Sequence, residues 1–344
     1  MVLNVGLVGF GFAGKVFHAP VIRAVEGLRL SAIVQRRGPL PSDPAYRDVE
    51  FVRSVDDLLK RAVDLVVVAT PNPSHHPIAK QCLLAGRHVV VDKPFTTTMA
   101  EAEDLVETAA RQRRVISVYQ DRRYTGDFAT VQKVIRDGAV GRVVSYESHF
   151  DRFRPERKPN AWREDNLPGS GVWFDIGPHL LDQALLLFGI PEAIGADIRV
   201  EREVAVVDDA FDVTLHYART RALLRASMLA HPVGPTWTVR GTEATFIKYG
   251  MDPQEAALKE GRSPNEPDWD AEPTELYGKL VTTEGARPVP TLRSSFTCYY
   301  ENIRDVLLGK GSLAVTPEWS LDVMRGLLLA LDSSRQRRIL EWAQ

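Results

Sequence analysis

An apolar run at residues 5–8 (VGLV) leads directly into GFGFAG, with glycines at Gly9, Gly11 and Gly14. Few folds use a strand that ends this way. Gly9 permits a tight turn, Gly11 lets the backbone approach a phosphate with no Cβ in the way, and Gly14 lets the next helix pack against its strand. The unpaired N–H groups and the dipole at that helix N-terminus then hold the anion. The same string can also make an ordinary loop, so the following residues decide. Residues 15–25 have a helical pattern and residues 28–34 form a second apolar run. Together they complete a strand, helix, strand unit of about 30 residues. The spacing predicts a dinucleotide site bordered by Gly9, Gly11, Phe12 and Gly14.

The residues that close the second strand select the dinucleotide. In an NAD site an Asp or Glu there hydrogen-bonds the ribose 2′-OH. This chain has Gln35, Arg36, Arg37 and Gly38 instead. A carboxylate would repel a 2′-phosphate, whereas guanidiniums present planar donor forks that match it. The expected cofactor is NADP, held by Arg36 and Arg37, with NAD as the other possibility. A solvated basic loop is the competing use of this pair.

Composition narrows the partners. At 344 residues the chain is long enough for two domains. Its 43 Lys and Arg against 45 Asp and Glu leave a net charge of -2, so no global field favours nucleic acid or an anionic membrane. A small-molecule partner is expected. No apolar run reaches the ~20 residues that span a bilayer, and the apolar start, broken by glycines and without a basic flank, reads as a first strand rather than a signal peptide. Cys82 and Cys298 match no metal or redox spacing. A cytoplasmic protein with buried, inert thiols is expected.

Residues 64–70 (DLVVVAT) and 88–91 repeat the continuous Val-rich pattern of strands buried on both faces of a parallel sheet. Between them, residues 77–85 form a helix that stops at Gly86. Residues 99–113 read as a helix and 115–119 as a further strand, so the chain to residue 122 is a doubly wound α/β domain. Beyond Arg123 the pattern alternates. Residues 143–150, 194–200, 211–217, 222–229, 236–240 and 245–249 predict one mostly antiparallel open sheet. Helices at 128–136, 179–188, 296–308 and 317–336 are expected to cover one of its faces, making residues 123–344 an α+β domain. The other face is available to a second copy, which predicts a homodimer or homotetramer. Residues 252–275, rich in Pro, Asp and Glu, read as a surface excursion.

Three clusters can carry chemistry. Thr70, Asn72 and His75 lie in TPNPSH at the carboxyl end of a buried strand, where ligands of open α/β sheets bind. Asp92, Lys93 and Pro94 stand at the end of the next one, and the ammonium of Lys93 is a compact charge able to polarise a carbonyl or steady an alkoxide. Asp175, His179 and Asp182 are spaced i, i+4 and i+7 and so share one helical face. A carboxylate near His179 can hold one ring nitrogen and leave the other as a base. The competing uses are a Pro-rich turn, a surface lysine, a core histidine and a cation site, the last lacking a supporting set of His or Cys ligands.

In these motifs the chain resembles the Gfo/Idh/MocA family of NAD(P)-dependent oxidoreductases, named after glucose-fructose oxidoreductase and inositol dehydrogenase. The likeness covers GFGFAG, TPN followed by His75, GRHVVVDKP where the family typically shows E-K-P, and the D-x-G-x-H segment at residues 175–179. Val16-Phe17-His18-Ala19-Pro20, Lys93-Pro94-Phe95 and Glu147-Ser148-His149-Phe150-Asp151-Arg152 are similar to the branch containing NADP-dependent scyllo-inositol dehydrogenases. The resemblance implies a Rossmann domain before the α+β domain. It also implies that Lys93, Asp175 and His179 are catalytic, that Gly9, Gly11, Gly14, Thr70, Asn72 and Lys93 border the cofactor, and that Trp162 and Arg163 are like the family's W-R pair beside the nicotinamide end. Asp92 departs from the usual Glu, and Gln120-Asp121 stands where an Asn-containing segment is common.

The expected reaction moves a hydride between a secondary alcohol carbon and the nicotinamide C4. His179 takes or returns the hydroxyl proton, Asp175 orients it or bonds a neighbouring hydroxyl, and Lys93 stabilises the alkoxide, with Lys93 as the alternative proton acceptor. Lys93, Arg152, Asp175 and His179 are the expected substrate contacts. Arg122, Arg123, Arg154, Arg163, Asp151 and Asp182 add a rim of mixed sign that suits a neutral polyol, whereas several arginines converging on one spot would suit a sugar acid or phosphate. Two other classes stay open: a glycosidase that uses bound NAD transiently, and a non-catalytic cofactor-binding regulator.

Overall fold

The computed structural model describes residues 1–38, 44–158 and 161–342. The chain folds as two compact units: Met1–Asp121 with Gln254–Trp269 and Ser295–Leu321, and Arg122–Pro253 with Asp270–Ser294 and Asp322–Gln344.

The first unit begins with β1 (Leu3–Val8), a π-helical turn at Gly14–His18 that runs into α1 (Ala19–Ala24), and β2 (Leu28–Val34). It continues through β3 (Glu50–Val52), α2 (Val55–Leu59), β4 (Leu65–Val68), α3 (His75–Leu84), β5 (His88–Asp92), α4 (Met99–Gln112) and β6 (Ile116–Tyr119). All six strands are parallel, in the order β3-β2-β1-β4-β5-β6. That is the doubly wound order whose ligands bind beyond the carboxyl ends of the central strands. The Val-rich runs explain the centre: Leu65, Val66, Val67 and Val68 are all wholly buried, as a strand covered on both faces requires. A capping box starts α4, with Thr98 Oγ1 accepting from the Glu101 amide and Glu101 Oε2 from the Thr98 amide.

The second unit contains α5 (Gly126–Arg136), β7 (Val143–His149), α6 (Val172–Phe188), β8 (Ala193–Arg199), β9 (Ala210–His216), β10 (Arg221–Ser227), β11 (Trp237–Gly241) and β12 (Thr245–Lys248). After α7 (Gln254–Lys259), which belongs to the first unit, come β13 (Gly278–Thr282) and β14 (Gly285–Val289). The chain ends with α8 (Thr297–Leu307), α9 (Pro317–Gln336) and β15 (Leu340–Glu341). The sheet order is β14-β13-β12-β11-β7-β10-β9-β8-β15, with β7 and β10 parallel and the other neighbours antiparallel. Alternation fixes the faces: Ala222, Leu224 and Ala226 of β10 are buried while Leu223 and Arg225 between them are half-buried. Helix α6 packs against β9 and β10.

Two segments depart from the sequence pattern. Residues 252–275 are only in part a surface excursion: 265–268 and 273–275 are exposed, but Gln254, Ala257, Leu258 and Trp269 are buried in the first unit, where Gln254 Oε1 accepts from the Phe296 amide at 2.8 Å. Helix α8 packs on α1 rather than covering the antiparallel sheet. Its apolar face was legible, but periodicity does not say which surface a helix covers. Burial pushes the Cys82 thiol up to about 12, which leaves it inert as a nucleophile.

Candidate functional site

The glycine loop has the shape of a phosphate cradle. Gly9 has a φ of +101°, and a Cβ there would lie 2.4 Å from the Ala69 carbonyl oxygen; one on Gly14 would lie 2.0 Å from the Gly9 oxygen. Neither position admits another residue. A Cβ on Gly11 would meet nothing within 4 Å, so the loop opens on free space at the point where a pyrophosphate would approach. Phe12 is 57% exposed beside it, edge-on to Phe17.

Arg36 and Arg37 follow β2, exposed, and neither forms an ion pair with a carboxylate of the described residues. The turn that carries them is held by Arg53, whose Nη1 donates to the Gln35 and Gly38 carbonyls at 3.0 and 2.9 Å. Sequence reasoning missed Arg53, which reaches this turn only because β3 pairs with β2.

Thr70 and Asn72 follow β4, and Lys93 follows β5. His75 joins the two turns: its Nδ1 lies 2.9 Å from the Pro94 carbonyl oxygen and its Nε2 2.8 Å from that of Thr70. The ring is wholly buried, and burial pushes its pKa down against the pull of Asp92 and those carbonyls. His75 therefore acts on the strand ends rather than on open space. Lys93 is half-buried, and its backbone N–H donates to Asp92 Oδ1 at 2.8 Å.

In the second unit Asp175, His179 and Asp182 all lie on α6, but their surroundings differ. The Asp175 side chain is 27% exposed and pairs with Arg163, Nε to Oδ1 3.1 Å. Arg163 in turn stacks on Trp162, 4.5 Å from the ring centre. His179 is only 6% exposed. Asp182 is buried in a bidentate pair with Arg123, at 2.7 and 2.6 Å, which removes both from the solvent-facing rim. The guanidiniums of Arg152 and Arg122 lie 4.6 and 5.5 Å from the ring centre of Phe150. Gly126, at the start of α5, donates its amide to Asp252 Oδ2 at 2.7 Å.

Asp208 sets the start of α6 and has no local sequence signature. Its carbonyl accepts from the Val172 amide at 2.9 Å and its Oδ2 from the Trp173 amide at 2.7 Å, satisfying two donors of the first turn. Burial raises its carboxyl to about 6, with Asp209 adding to the rise and the amides opposing it. The folded chain thus holds this proton more tightly than the unfolded one, and the stability it contributes falls as pH rises from about 4 to 6. Asp208→Asn keeps the acceptor and removes the charge. The variant is expected to gain on the parent by on the order of 2 kcal/mol between pH 4 and pH 7. Denaturant melts at the two pH values check this, and an unchanged difference would refute it.

Among the described residues no group of three or more His, Cys, Asp or Glu could hold a metal ion, and no helix is long and apolar enough to cross a membrane. Residues 3–120 match the model of an oxidoreductase family with an NAD-binding Rossmann fold, and residues 128–247 that of the GFO/IDH/MocA C-terminal domain. The uncharacterized oxidoreductase YdgJ of Escherichia coli is 38% identical over 98% of each chain. The scyllo-inositol 2-dehydrogenase (NADP(+)) IolW of Bacillus subtilis is 35% identical over 98% of this chain and 95% of its own. Among solved structures, an oxidoreductase from Bacillus cereus superposes with a TM-score of 0.89 at 29% identity, covering 100% of this chain and 99% of that one. The chain belongs to the Gfo/Idh/MocA family of NAD(P)-binding oxidoreductases.

Proposed function

We propose that the protein is an NADP-dependent dehydrogenase of a cyclitol or sugar, with Lys93, Asp175 and His179 as its catalytic residues. The observation that carries the cofactor choice is the end of β2, where two exposed guanidiniums stand and no acid occupies the ribose position. Gly9, Gly11, Phe12, Gly14, Arg36, Arg37, Thr70, Asn72 and Lys93 border the dinucleotide, with His75 holding the turns behind it and Trp162 and Arg163 beside its reactive end. The nicotinamide ring, when bound, accepts or supplies the hydride.

The side chains then divide the remaining work. His179, buried and with little water to compete, takes the hydroxyl proton. Arg163 fixes the Asp175 carboxylate, which orients that hydroxyl. Lys93 places a positive charge at the oxygen that becomes negative. A hydroxyl-rich substrate suits this set, because hydroxyls donate to carboxylates and accept from guanidiniums. The name of the Bacillus subtilis relative supports a cyclitol and NADP. Arg123 pairs with Asp182 and Arg163 with Asp175, so two of the arginines are already matched by carboxylates, which favours a neutral substrate over a sugar acid or phosphate.

The same reading divides the labour near residue 122, with cofactor binding before it and substrate binding and assembly after it, in a cytoplasmic homodimer or homotetramer whose subunits meet on the open sheet face. Arg36→Ala tests the cofactor choice. It is expected to raise the KM for NADP by about tenfold to a hundredfold, the worth of a lost charge-assisted phosphate contact, and that for NAD by less than about twofold. Equal KM values for NADP and NAD in the parent would refute it.

A further inference from the structure

His18 ends the π-helical turn that follows the glycine loop, and it is wholly buried. Its Nδ1 lies 2.6 Å from the Tyr300 hydroxyl. Its Nε2 faces Asp92 Oδ2 at 3.8 Å, too far for a direct hydrogen bond, and has no hydrogen-bond partner among the described residues. The other oxygen of Asp92 accepts the Lys93 backbone N–H. The imidazole packs on Tyr119, ring centres 4.4 Å apart, and Tyr119 stands opposite Asp92 in the pairing of β5 with β6. Tyr299 and Tyr300 close the cluster edge to face.

This arrangement selects one tautomer. A buried phenol stays protonated, and burial pushes Tyr300 well above its ordinary value. Donating to Nδ1, it leaves the imidazole proton on Nε2, aimed at the Asp92 carboxylate. The opposite tautomer would set the Nε2 lone pair against that carboxylate. Burial alone would raise the Asp92 carboxyl, but His18, Lys93 and His75 hold it well below the usual range, so it remains an anion.

We propose that His18 is the positioning residue for Lys93, acting through Asp92 and held in a single tautomer by Tyr300. The proposal rests on the reading that Lys93 takes part in the reaction. Removing the Nε2–H dipole changes the field that orients the Asp92 carboxylate, and the lysine backbone N–H bonded to that carboxylate shifts with it. Displacements of that size at a reacting group lower turnover more than binding. The competing explanation is a core histidine that only fills space.

The test uses the full chain with uniformly 15N-labelled histidine, and scyllo-inositol or the reacting member of a cyclitol and aldose panel as substrate. Long-range 1H–15N spectra are expected to show His18 protonated at Nε2 and bare at Nδ1, and Tyr300→Phe is expected to lose that preference. His18→Asn, which retains a polar partner only for Tyr300, is expected to lower kcat about tenfold with the cofactor KM within about twofold. His18→Gln, which returns an N–H to the Asp92 side, is expected to recover most of it. A purely structural histidine would lower thermal stability in both variants and leave kcat at the parental value in folded protein. That result, or a parental His18 protonated at Nδ1, would overturn the proposal. If His18→Asn does not fold, Tyr300→Phe carries the same comparison. An active Lys93→Ala would refute the role of Lys93 itself, whereas an inactive Lys93→Ala beside a fully active His18→Asn refutes the positioning chain alone.

Discussion

His179→Ala is expected to lower kcat by about 10² to 10⁴, the range for losing a positioned acid or base, with NADPH affinity changed by less than about threefold. The reason is the separation of roles. The proposed phosphate cradle, Gly9, Gly11 and Gly14, lies in the first unit, and His179 belongs to α6 of the second. Steady-state turnover with fluorescence titration of NADPH checks both halves. Normal turnover in the variant would make His179 a core residue, and loss of NADPH binding would show that its contribution is to the cofactor site rather than to proton transfer.

Asp182→Ala is expected to fail differently, through stability. Asp182 and Arg123 are buried and joined by two short hydrogen bonds. Removing the acid strands a guanidinium without its counter-charge, at about 3 to 5 kcal/mol. Thermal melts should fall by roughly 10 °C, and replacing Arg123 and Asp182 together by apolar residues of similar volume should restore much of the loss. A variant that melts like the parent but has lost kcat would instead return Asp182 to the chemistry its helical spacing suggests.

These contrasts show what a sequence can display. The parallel sheet was legible because each of its central strands announces itself locally, as in the continuous valines of β4 and β5. The same holds for the glycine loop, where three positions need three different properties of glycine. Strand β3, with only Glu50 to Val52, carries too little periodicity to stand out. Helices α7 and α8 show their apolar faces but not the surface those faces meet, so the burial of Trp269 and the packing of α8 on α1 had to come from tertiary structure.

The site divides in the same way. Helical spacing put Asp175 and His179 on one face, and a strand end put Lys93 beside a turn. Spacing could not tell that Asp182 on that face is consumed by Arg123, or that Arg163 holds Asp175. Charges identify candidate partners, and only the fold chooses among them. Asp208 and His18 were hidden for a related reason. One caps a helix 35 residues before it, and the other sits among ordinary apolar neighbours in VFHAP. Their roles come from burial, which no local pattern records.

The central claim is that this chain oxidises a polyhydroxylated ring with NADP. Its most direct measurement is the rate of NADPH formation by the purified protein over a panel of neutral cyclitols and aldoses, their acid and phosphate derivatives, and 2-propanol, run in parallel with NADP and NAD. The account predicts turnover of at least one neutral cyclitol or aldose, at least tenfold better kcat/KM with NADP than with NAD, and no measurable oxidation of 2-propanol, which leaves the site's polar groups unpaired. Turnover confined to anionic sugars, equal use of both dinucleotides, or glycoside cleavage without net NADPH formation would contradict it.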